Sequence, residues 1–386
     1  MTLEPGVKVT RLSPQQGGFF FGYYDKSPYD QAGDVVLAGQ ADFISRMPKE
    51  GEALRIGLLD AAGARRGTQK FRQLAETTAW CWQQGAMLQW LPPQFQQSII
   101  FNVIREGRLN SCILEVESKR QRFLSRPIYA VDPQGRYALS LNFSRLARTR
   151  PGYGYEGVED PTIGVDRPGD DGVWQVPLDA AEPRLIFSLA DAASLKAWPE
   201  MEQTEHWFNH LQINPSGNRT AVLHRWRAGR ADWRTRLLTM NPDGSDPYVL
   251  ADSGFFSHYD WVDDRTIVGW TDHGHNEMAY TLLTDRSSTL AALRDTALYC
   301  DGHMSLSPDR TCMLSDTYPD SQSMRNLFLW KWPGGPAQRL GQFFSPPDLE
   351  GPVRVDLHPR WKRDGKAICI DSAHEGARHL YEVTFE

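Results

Sequence analysis

Four histidines recur at nearly the same spacing in the second half of the chain. They are His210, His258, His303 and His358, separated by 48, 45 and 55 residues. Each stands five residues before the opening of a turn, as in Asp-Leu-His358-Pro-Arg-Trp-Lys-Arg-Asp-Gly. Imidazole is the commonest metal ligand of proteins and a general base near neutral pH. If the fold brings these positions together, the histidines can hold a divalent ion or move a proton.

The repeat that carries the histidines predicts an all-β fold. Periods of about 40–50 residues, built from short strands and Asp-Gly or Ser-Gly turns, are typical of a β-propeller, in which each repeat forms one four-stranded blade. If the turn joins the two innermost strands, the histidine lies at the start of the innermost strand, and all four face one channel opening. We predict a seven-bladed β-propeller with blades that open near residues 23, 83, 128, 210, 258, 303 and 358.

The whole chain, residues 1–386, is predicted to form one propeller domain, because a propeller grows by adding blades. The 82 residues between 128 and 210 indicate one blade with two insertions, near 145–171 and 189–205, or else two blades with a poor repeat. The second insertion has a helical pattern. Long insertions usually lie near binding residues, so we expect both to cap one mouth of the channel. Residues 1–16 are expected to add an outer strand to the segment 380–385.

Composition excludes several classes of function. The net charge is −6 without a block of like charges, which argues against nucleic acid as a partner. No apolar run reaches the length of a membrane span. The chain also lacks a Gly-rich phosphate loop, a Gly-x-Ser-x-Gly elbow, a His-Glu-x-x-His pair and a Cys-x-x-Cys pair. Nucleotide-binding, serine hydrolase and zinc protease functions lose support accordingly.

The cysteines and the N-terminus favour a cytoplasmic protein. Five cysteines, an odd number without a framework spacing, indicate free thiols in a reducing compartment. The first six residues, Met-Thr-Leu-Glu-Pro-Gly, lack the basic and apolar parts of a signal peptide. A periplasmic or secreted protein in its mature form would look the same.

The histidines of the last three blades are candidate metal ligands. Imidazoles from consecutive blades would suit a divalent ion, manganese or zinc. The alternative is that this position of the repeat holds histidine because it hydrogen-bonds the neighbouring blade's turn. The candidate ligands are His258, His303 and His358, with Asp356, Cys300 or His275 completing the shell.

Other residues are candidates for catalysis and substrate binding. His210 is the candidate base and Arg225 the candidate cation for a carboxylate; blade-to-blade hydrogen bonding is the alternative for both. In the first insertion, Arg150 is a candidate binding residue, and Tyr153 or Tyr155 a candidate acid. Aromatic and amide side chains of the first two blades are a candidate sugar platform or, equally, blade-packing core. The platform residues are Tyr23, Tyr24, Trp82, Gln83 and Gln84.

Motifs over nearly the whole chain resemble those of one family. The motifs are Gly22-Tyr-Tyr-Asp-Lys-Ser-Pro, Trp80-x-Trp-Gln-Gln-Gly, Arg150-Pro-Gly-Tyr-Gly-Tyr, Asn-His210-Leu-Gln, Ser-His258-Tyr-Asp-Trp, Asp-Gly-His303 and Asp-Leu-His358-Pro-Arg-Trp. Together they resemble the seven-bladed propeller polysaccharide lyases, namely the oligogalacturonate and ulvan lyases, with their rhamnosidase relatives. The last repeats also resemble the less specific TolB-like propeller repeat.

The resemblance implies a divalent metal, typically manganese, at the channel mouth. In oligogalacturonate lyases its ligands are a Ser/Thr-His pair and a Gln-x-x-His-x-His run; His258 and His358 match these motifs. Asp356 replaces one histidine, and Val353 stands in place of the glutamine. His210 matches a catalytic histidine of the family. The early-blade histidines of ulvan lyases are missing, because no histidine precedes His206.

The function that the resemblance implies is β-elimination on an oligosaccharide that contains uronic acid. This reaction needs a cation or metal to neutralise the C6 carboxylate, a base to remove the C5 proton, and a donor to protonate the leaving oxygen. Two alternatives remain open: a non-catalytic propeller that binds glycans or proteins, and a rhamnosidase-like glycosidase, since a fold does not dictate a reaction.

Overall fold

The computed structural model describes residues 1–229, 232–273, 277–295, 297–332 and 334–385, which form 29 strands and five short helical segments. The strands as far as residue 188 are β1 (Thr2–Leu3), β2 (Lys8–Arg11), β3 (Gly18–Phe20), β4 (Val35–Ala41), β5 (Leu54–Asp60), β6 (Phe71–Thr77), β7 (Gln89–Trp90), β8 (Ser98–Arg105), β9 (Arg108–Glu115), β10 (Gln121–Leu124), β11 (Ala130–Val131), β12 (Tyr137–Ser140), β13 (Gly172–Pro177) and β14 (Arg184–Ser188). The strands that follow are β15 (His206–Ile213), β16 (Thr220–Arg227), β17 (Trp233–Met240), β18 (Tyr248–Ala251), β19 (Phe256–Trp261), β20 (Thr266–Asp272), β21 (Met278–Thr284), β22 (Leu290–Leu293), β23 (Ser305–Leu306), β24 (Cys312–Asp316), β25 (Met324–Lys331), β26 (Ala337–Phe344), β27 (Arg360–Trp361), β28 (Ile368–Ser372) and β29 (His379–Thr384). The helices are α1 (Ala61–Arg65), α2 (Phe143–Thr149), α3 (Leu189–Ser194) and the 3₁₀ turns Pro199–Gln203 and Gly351–Val353. None of the described helices is long and apolar enough to cross a membrane.

Seven antiparallel sheets follow one another along the chain, each built from strands that are consecutive in sequence. They are β3–β6, β7–β10, β11–β14, β15–β18, β19–β22, β23–β26 and β27–β29. This succession of four-stranded meanders is a seven-bladed β-propeller, which confirms the predicted fold class. The interval between residues 128 and 210 holds the single sheet β11–β14, as predicted for one blade with insertions.

The two ends of the chain meet in the last sheet. Strand β2 pairs with β29, with Lys8 opposite Thr384 and Arg11 opposite Tyr381. The last sheet, whose own strands are only β27–β29, thereby gains its fourth strand. The expectation that residues 1–16 add an outer strand to segment 380–385 is confirmed. In addition, β1 extends the preceding sheet by pairing with β26.

The chain divides into two compact units. The first unit comprises the described residues of Met1–Ile104, Cys112–Arg122 and Asp295–Glu386, and the second those of Arg105–Ser111 and Phe123–Arg294. A single domain over residues 1–386 stays a prediction, as does the capping of one mouth by the insertions.

Each unit has its own apolar core, built from alternating positions of neighbouring strands. In the first unit, Leu327 and Leu340 pack with Trp361, Ile368 and Tyr381. In the second, the cluster is Ala221, Leu223, Leu237, Leu250, Phe256, Tyr259, Trp261, Ile267 and Leu283. Burying one such large side chain contributes about 1.5–3 kcal/mol.

The second predicted insertion is helical, as expected. Helix α3 begins at a capping box, in which the Ser188 side chain accepts from the Asp191 backbone N–H and the Asp191 side chain accepts from that of Ser188. The 3₁₀ turn Pro199–Gln203 follows. Its residue Met201 is joined to the fourth sheet through a histidine that the repeat does not contain, His206.

A buried chain of hydrogen bonds runs through His206. Arg236 Nε lies 3.0 Å from His224 Nδ1, His224 Nε2 lies 2.8 Å from His206 Nδ1, and His206 Nε2 lies 2.8 Å from the Met201 carbonyl oxygen. Because Arg236 only donates and a carbonyl only accepts, each histidine must donate from Nε2 and accept at Nδ1. Both imidazoles are therefore neutral, and His224 is a structural residue.

Acidification is expected to destabilise the protein between pH 6.5 and 4.5 because of this chain. Burial, with smaller effects from nearby charges, lowers the pKa of His206 to about 4, and burial lowers that of His224 as well. Below pH 6.5 the unfolded state binds more protons than the folded state, so stability is lost as the pH falls. His206 alone accounts for about 2–3 kcal/mol at pH 4.5. Urea midpoints at pH 7 and 4.5 measure this loss. A His206→Gln variant should lose less stability between these two pH values than the wild type does. An equal loss in the variant would contradict the assignment.

Candidate functional site

Three polar side chains of the first unit lie together and could hold a metal ion. They are His303, Asp356 and His358, and all three are buried. One potential ligand atom of each lies within 4.8 Å of those of the other two. The two imidazole rings are 4.2 Å apart between centroids and nearly perpendicular, at 88°. Two of the three histidines predicted as ligands, and the predicted aspartate, are thus brought into one cluster.

The pairing of β23 with β24 positions His303. Ser305 lies opposite Leu314, and the same register places His303 opposite Asp316. The Asp316 carboxylate accepts from the backbone N–H of His303 at 2.8 Å and lies 2.9 Å from Nδ1 of the same residue. Because the carboxylate accepts the Nδ1 proton, the neutral imidazole has its lone pair on Nε2. Asp316 also accepts from the backbone N–H of His358 at 3.1 Å, and so orients both histidines.

The backbone departs from a regular strand at the histidine positions. His210 and His258 lie inside β15 and β19, where the register shifts, whereas His303 and His358 come just before β23 and β27. The expected position at the start of the innermost strand therefore applies only to the last two. His210 has a φ of 53° and His358 a φ of 43°. Left-handed conformations of residues other than glycine are uncommon and concentrate at functional sites.

The charge of Asp356 is balanced by arginines. One of its oxygens lies 2.8 Å from Arg325 and the other 2.7 Å from Arg354. Burial alone would raise the pKa of this carboxyl, but the two guanidinium groups outweigh burial and hold the pKa well below its usual range. Burial, together with the charges of nearby cationic groups, lowers the pKa of His358, so its imidazole is neutral. A neutral imidazole and a carboxylate are the protonation states that metal binding requires.

These residues fit a divalent ion. In the described part of the chain, His358 Nε2 has no hydrogen-bond partner, and it lies 3.8 Å from an Asp356 oxygen. Two nitrogen donors and one carboxylate suit manganese or zinc, and three protein ligands leave positions open for water or substrate. Burial raises the pKa of Cys300 to about 11, which makes its thiol a poor ligand. His275 lies outside the described residues, and His258 belongs to the second unit, so its ligand role stays a prediction.

Further arginines hold the backbone around the cluster. Arg360 donates to the carbonyl oxygen of His358 and to Asp371, each at 2.6 Å. Arg378 lies 3.9 Å from the centre of the Trp82 ring, and burial lowers its pKa to about 9. Gln83 donates to the carbonyl oxygens of Pro352 and Arg354, both at 3.2 Å. The segment that leads into Asp356 is thereby held by the Gln83 side chain.

The five platform residues are almost completely buried. The rings of Tyr23 and Tyr24 each lie 5.3 Å from an imidazole, Tyr23 from His358 and Tyr24 from His303. The two tyrosines are thus a wall of the metal cluster.

Trp82, in contrast, packs into the core. Its ring lies 4.9 Å from that of Phe20, 5.0 Å from Trp80 and 5.9 Å from Phe43. Its indole N–H donates to the Arg46 carbonyl oxygen. Gln84 is buried, and its backbone lies close to Gly22. A Cβ added to Gly22, whose φ is 128°, would lie 2.8 Å from the Gln84 carbonyl. This packing favours the core interpretation for Trp82, Gln83 and Gln84.

The other candidate residues belong to the second unit. His210 is buried, with its ring 4.5 Å from that of Tyr259, whose hydroxyl donates to the His210 carbonyl oxygen. His258 is buried, with Nδ1 3.3 Å from the Ser257 hydroxyl. Tyr155 stacks on Phe143 at 4.6 Å and 9°, as a core residue would. Tyr153 is also buried, but its ring lies 5.0 Å from the guanidinium of Arg150, and this contact with another candidate residue makes it the better candidate acid.

Two candidate arginines lie near a tryptophan that the sequence does not single out, Trp233, and one of them also contacts Tyr153. The guanidinium of Arg150 lies 4.9 Å from the centre of its ring and 5.0 Å from that of Tyr153. Arg225 lies 5.9 Å from the Trp233 ring. Strand alternation explains the grouping, because Arg227 pairs with Trp233 and Arg225 lies two residues away on the same face.

Several residues of the site are not among those predicted from the sequence. Asp316 is the most important, and one signal could have revealed it. It follows His303 by 13 residues, and Asp371 follows His358 at the same interval. Arg325, Arg354 and Trp233 carry no comparable signal, since arginine and tryptophan are frequent throughout the chain.

The sequence matches no known family and no curated protein, but the fold is similar to solved structures. An oligogalacturonate lyase from Vibrio parahaemolyticus has a TM-score of 0.67 at 14% identity, over 100% of this chain and 96% of that one. An oligogalacturonate lyase in complex with manganese has the same TM-score at 17% identity, over 99% and 94% of the two chains. The propeller domain of the Trilobed protease from Pyrococcus furiosus has a TM-score of 0.53 at 9% identity, over 94% and 95%. The expected resemblance is thus confirmed for the fold.

Proposed function

We propose that the protein cleaves an oligosaccharide that contains uronic acid by β-elimination, with a divalent ion bound by His303, Asp356 and His358. The observation that carries the proposal is this buried cluster, in which Asp356 is held ionised and His358 neutral, as metal binding requires. The similarity in fold to an oligogalacturonate lyase in complex with manganese supports it.

An ion at this position would neutralise the C6 carboxylate of the substrate and so lower the barrier to loss of the C5 proton. The chain itself supplies the remaining functions. Asp316 holds the imidazole of His303 in the tautomer that presents Nε2. The buried guanidinium groups of Arg325 and Arg354 keep Asp356 ionised. The rings of Tyr23 and Tyr24 lie beside the two imidazoles.

Residues of the second unit keep the roles predicted from the sequence. His210 is the proposed general base, and its left-handed backbone conformation marks it as a constrained residue. Arg225 is the proposed cation for a substrate carboxylate, since its planar guanidinium can bind both oxygens. Tyr153 is the proposed acid that protonates the leaving oxygen.

Ultraviolet absorbance tests the proposal directly. Elimination creates a conjugated 4,5-double bond, so galacturonate oligosaccharides should gain absorbance near 235 nm when the protein is added. We expect the rate to fall to background after dialysis against EDTA and to return on addition of Mn²⁺. Glycosidic hydrolysis without new absorbance would instead favour a glycosidase. Binding without any cleavage, across galacturonate, glucuronate and mannuronate oligomers, would favour a non-catalytic propeller.

A further inference from the structure

Four neighbouring side chains form a small group that we call the Trp233 surface. They are Arg150, Tyr153, Arg225 and Trp233. The two arginines lie 4.9 and 5.9 Å from the centre of the indole ring. Arg150 follows α2, whereas Arg225 and Trp233 come from the paired strands β16 and β17. The surface is therefore built where the first insertion meets the fourth sheet.

In the described part of the chain, the charge of Arg150 is not balanced by a carboxylate. Among the described residues no carboxylate forms an ion pair with it, and its Nε is buried without a hydrogen-bond partner. The neighbouring arginines differ in this respect. Arg148 contacts Asp160 at 2.8 Å and Glu205 at 2.5 Å, and Arg227 lies 3.8 Å from Glu205. Burying part of a cation without a partner costs free energy, which an anionic ligand would offset.

The indole itself is accessible. Trp233 is 36% exposed, unlike most tryptophans of the chain, and it lines a groove of about 480 Å³. Phe255 and Met278, two further exposed apolar side chains, line the same groove. An exposed aromatic face next to the guanidinium of Arg150 offers apolar contact and a charge at one place.

We propose that the Trp233 surface is a subsite for a carboxylate-bearing sugar residue and makes the protein prefer uronates to neutral sugars. A sugar ring has an apolar C–H face that can lie on an indole, and its carboxylate can pair with Arg150 and Arg225. The adjoining groove accommodates the next residue of the oligosaccharide along Phe255. The inference rests on the proposed function for the class of its ligand. Arg225 and Tyr153 also have proposed roles in the chemical step, so Arg150 and Trp233 carry the test of binding.

Calorimetry with two matched ligands tests the inference. Trigalacturonate and its carboxyl-reduced form, which lacks the charges, are titrated into the protein with EDTA present. We expect Arg150→Gln to weaken trigalacturonate binding by about 10- to 100-fold and to leave the reduced ligand unaffected. Trp233→Ala should weaken both ligands by about tenfold, because the apolar contact serves both. Arg150→Lys should lose part of the preference for trigalacturonate over the reduced ligand, since lysine keeps the charge but lacks the planar guanidinium.

Matched controls come from elsewhere in the chain. Phe344 is 39% exposed and does not line the groove, so Phe344→Ala should bind both ligands as wild type does. Arg105 lies over the Phe123 ring at 4.6 Å, so Arg105→Gln removes a similar arginine outside the surface. An unchanged preference in Arg150→Gln, or no trigalacturonate binding by the wild type, would overturn the inference.

The experiments distinguish a failure of the subsite from a failure of the proposed function. If trigalacturonate binds with the expected preference but absorbance at 235 nm never rises, the subsite stands and elimination is refuted. If elimination proceeds and both Trp233→Ala and Arg150→Gln bind as wild type does, the subsite is refuted and elimination stands.

Discussion

A His358→Ala variant is expected to lose its bound divalent ion, and turnover on a confirmed uronate substrate should fall by at least about 10³-fold. The reason is geometric. In the described part of the chain the cluster has only three donor side chains, and Nε2 of His358 has no hydrogen-bond partner there. Metal content after dialysis, measured by mass spectrometry on folded protein, checks the first effect. His303→Ala is expected to behave in the same way.

Two variants make this prediction sharper. Asp316→Asn leaves all three donors in place but removes the charge that orients His303, so metal affinity should fall by about 10- to 100-fold. His374→Ala is the matched control, because this histidine lies in the same blade between Phe343 and Tyr381 and outside the cluster. Stoichiometric metal in both His303→Ala and His358→Ala would place the ion elsewhere.

A His210→Ala variant is expected to lower turnover by about 10²–10⁴-fold with only a modest loss of substrate binding, as for removal of a general base. Arg225→Lys should impair turnover and binding together, because lysine keeps the charge but not the two parallel hydrogen bonds. Initial rates at several substrate concentrations separate the two effects.

The control for His210→Ala is His206→Gln, which changes a buried histidine of the same strand without removing a proposed base. Its turnover at pH 7 should stay close to that of the wild type. If His210→Ala and Arg225→Lys both kept wild-type rates, the base and the cation would have to be sought in the first insertion, near Arg150 and Tyr153.

The repeat made the fold predictable. Its features depend on local sequence: turns such as Lys362–Gly365, strands of alternating polarity and a period of about 45–55 residues. The structure has a blade for each predicted copy. The helical insertion and the pairing of the N-terminal strand with β29 also follow from local patterns. Local chemistry acts over a few residues, so it is visible in the sequence without knowledge of distant contacts.

The sequence by itself determined that histidines, an aspartate and arginines occur at repeated positions where a propeller can gather them. Only the tertiary structure decided how they group: His303 with Asp356 and His358, and Arg150 with Arg225 around Trp233. It also decided that Trp82 packs into the core and that Asp316 orients His303. Such groupings depend on register, on backbone irregularities at His210 and His358, and on burial, which arise from contacts between residues far apart in the chain. Spacing along the sequence specifies residue types and their period, whereas contacts between distant segments specify partners and charge balance.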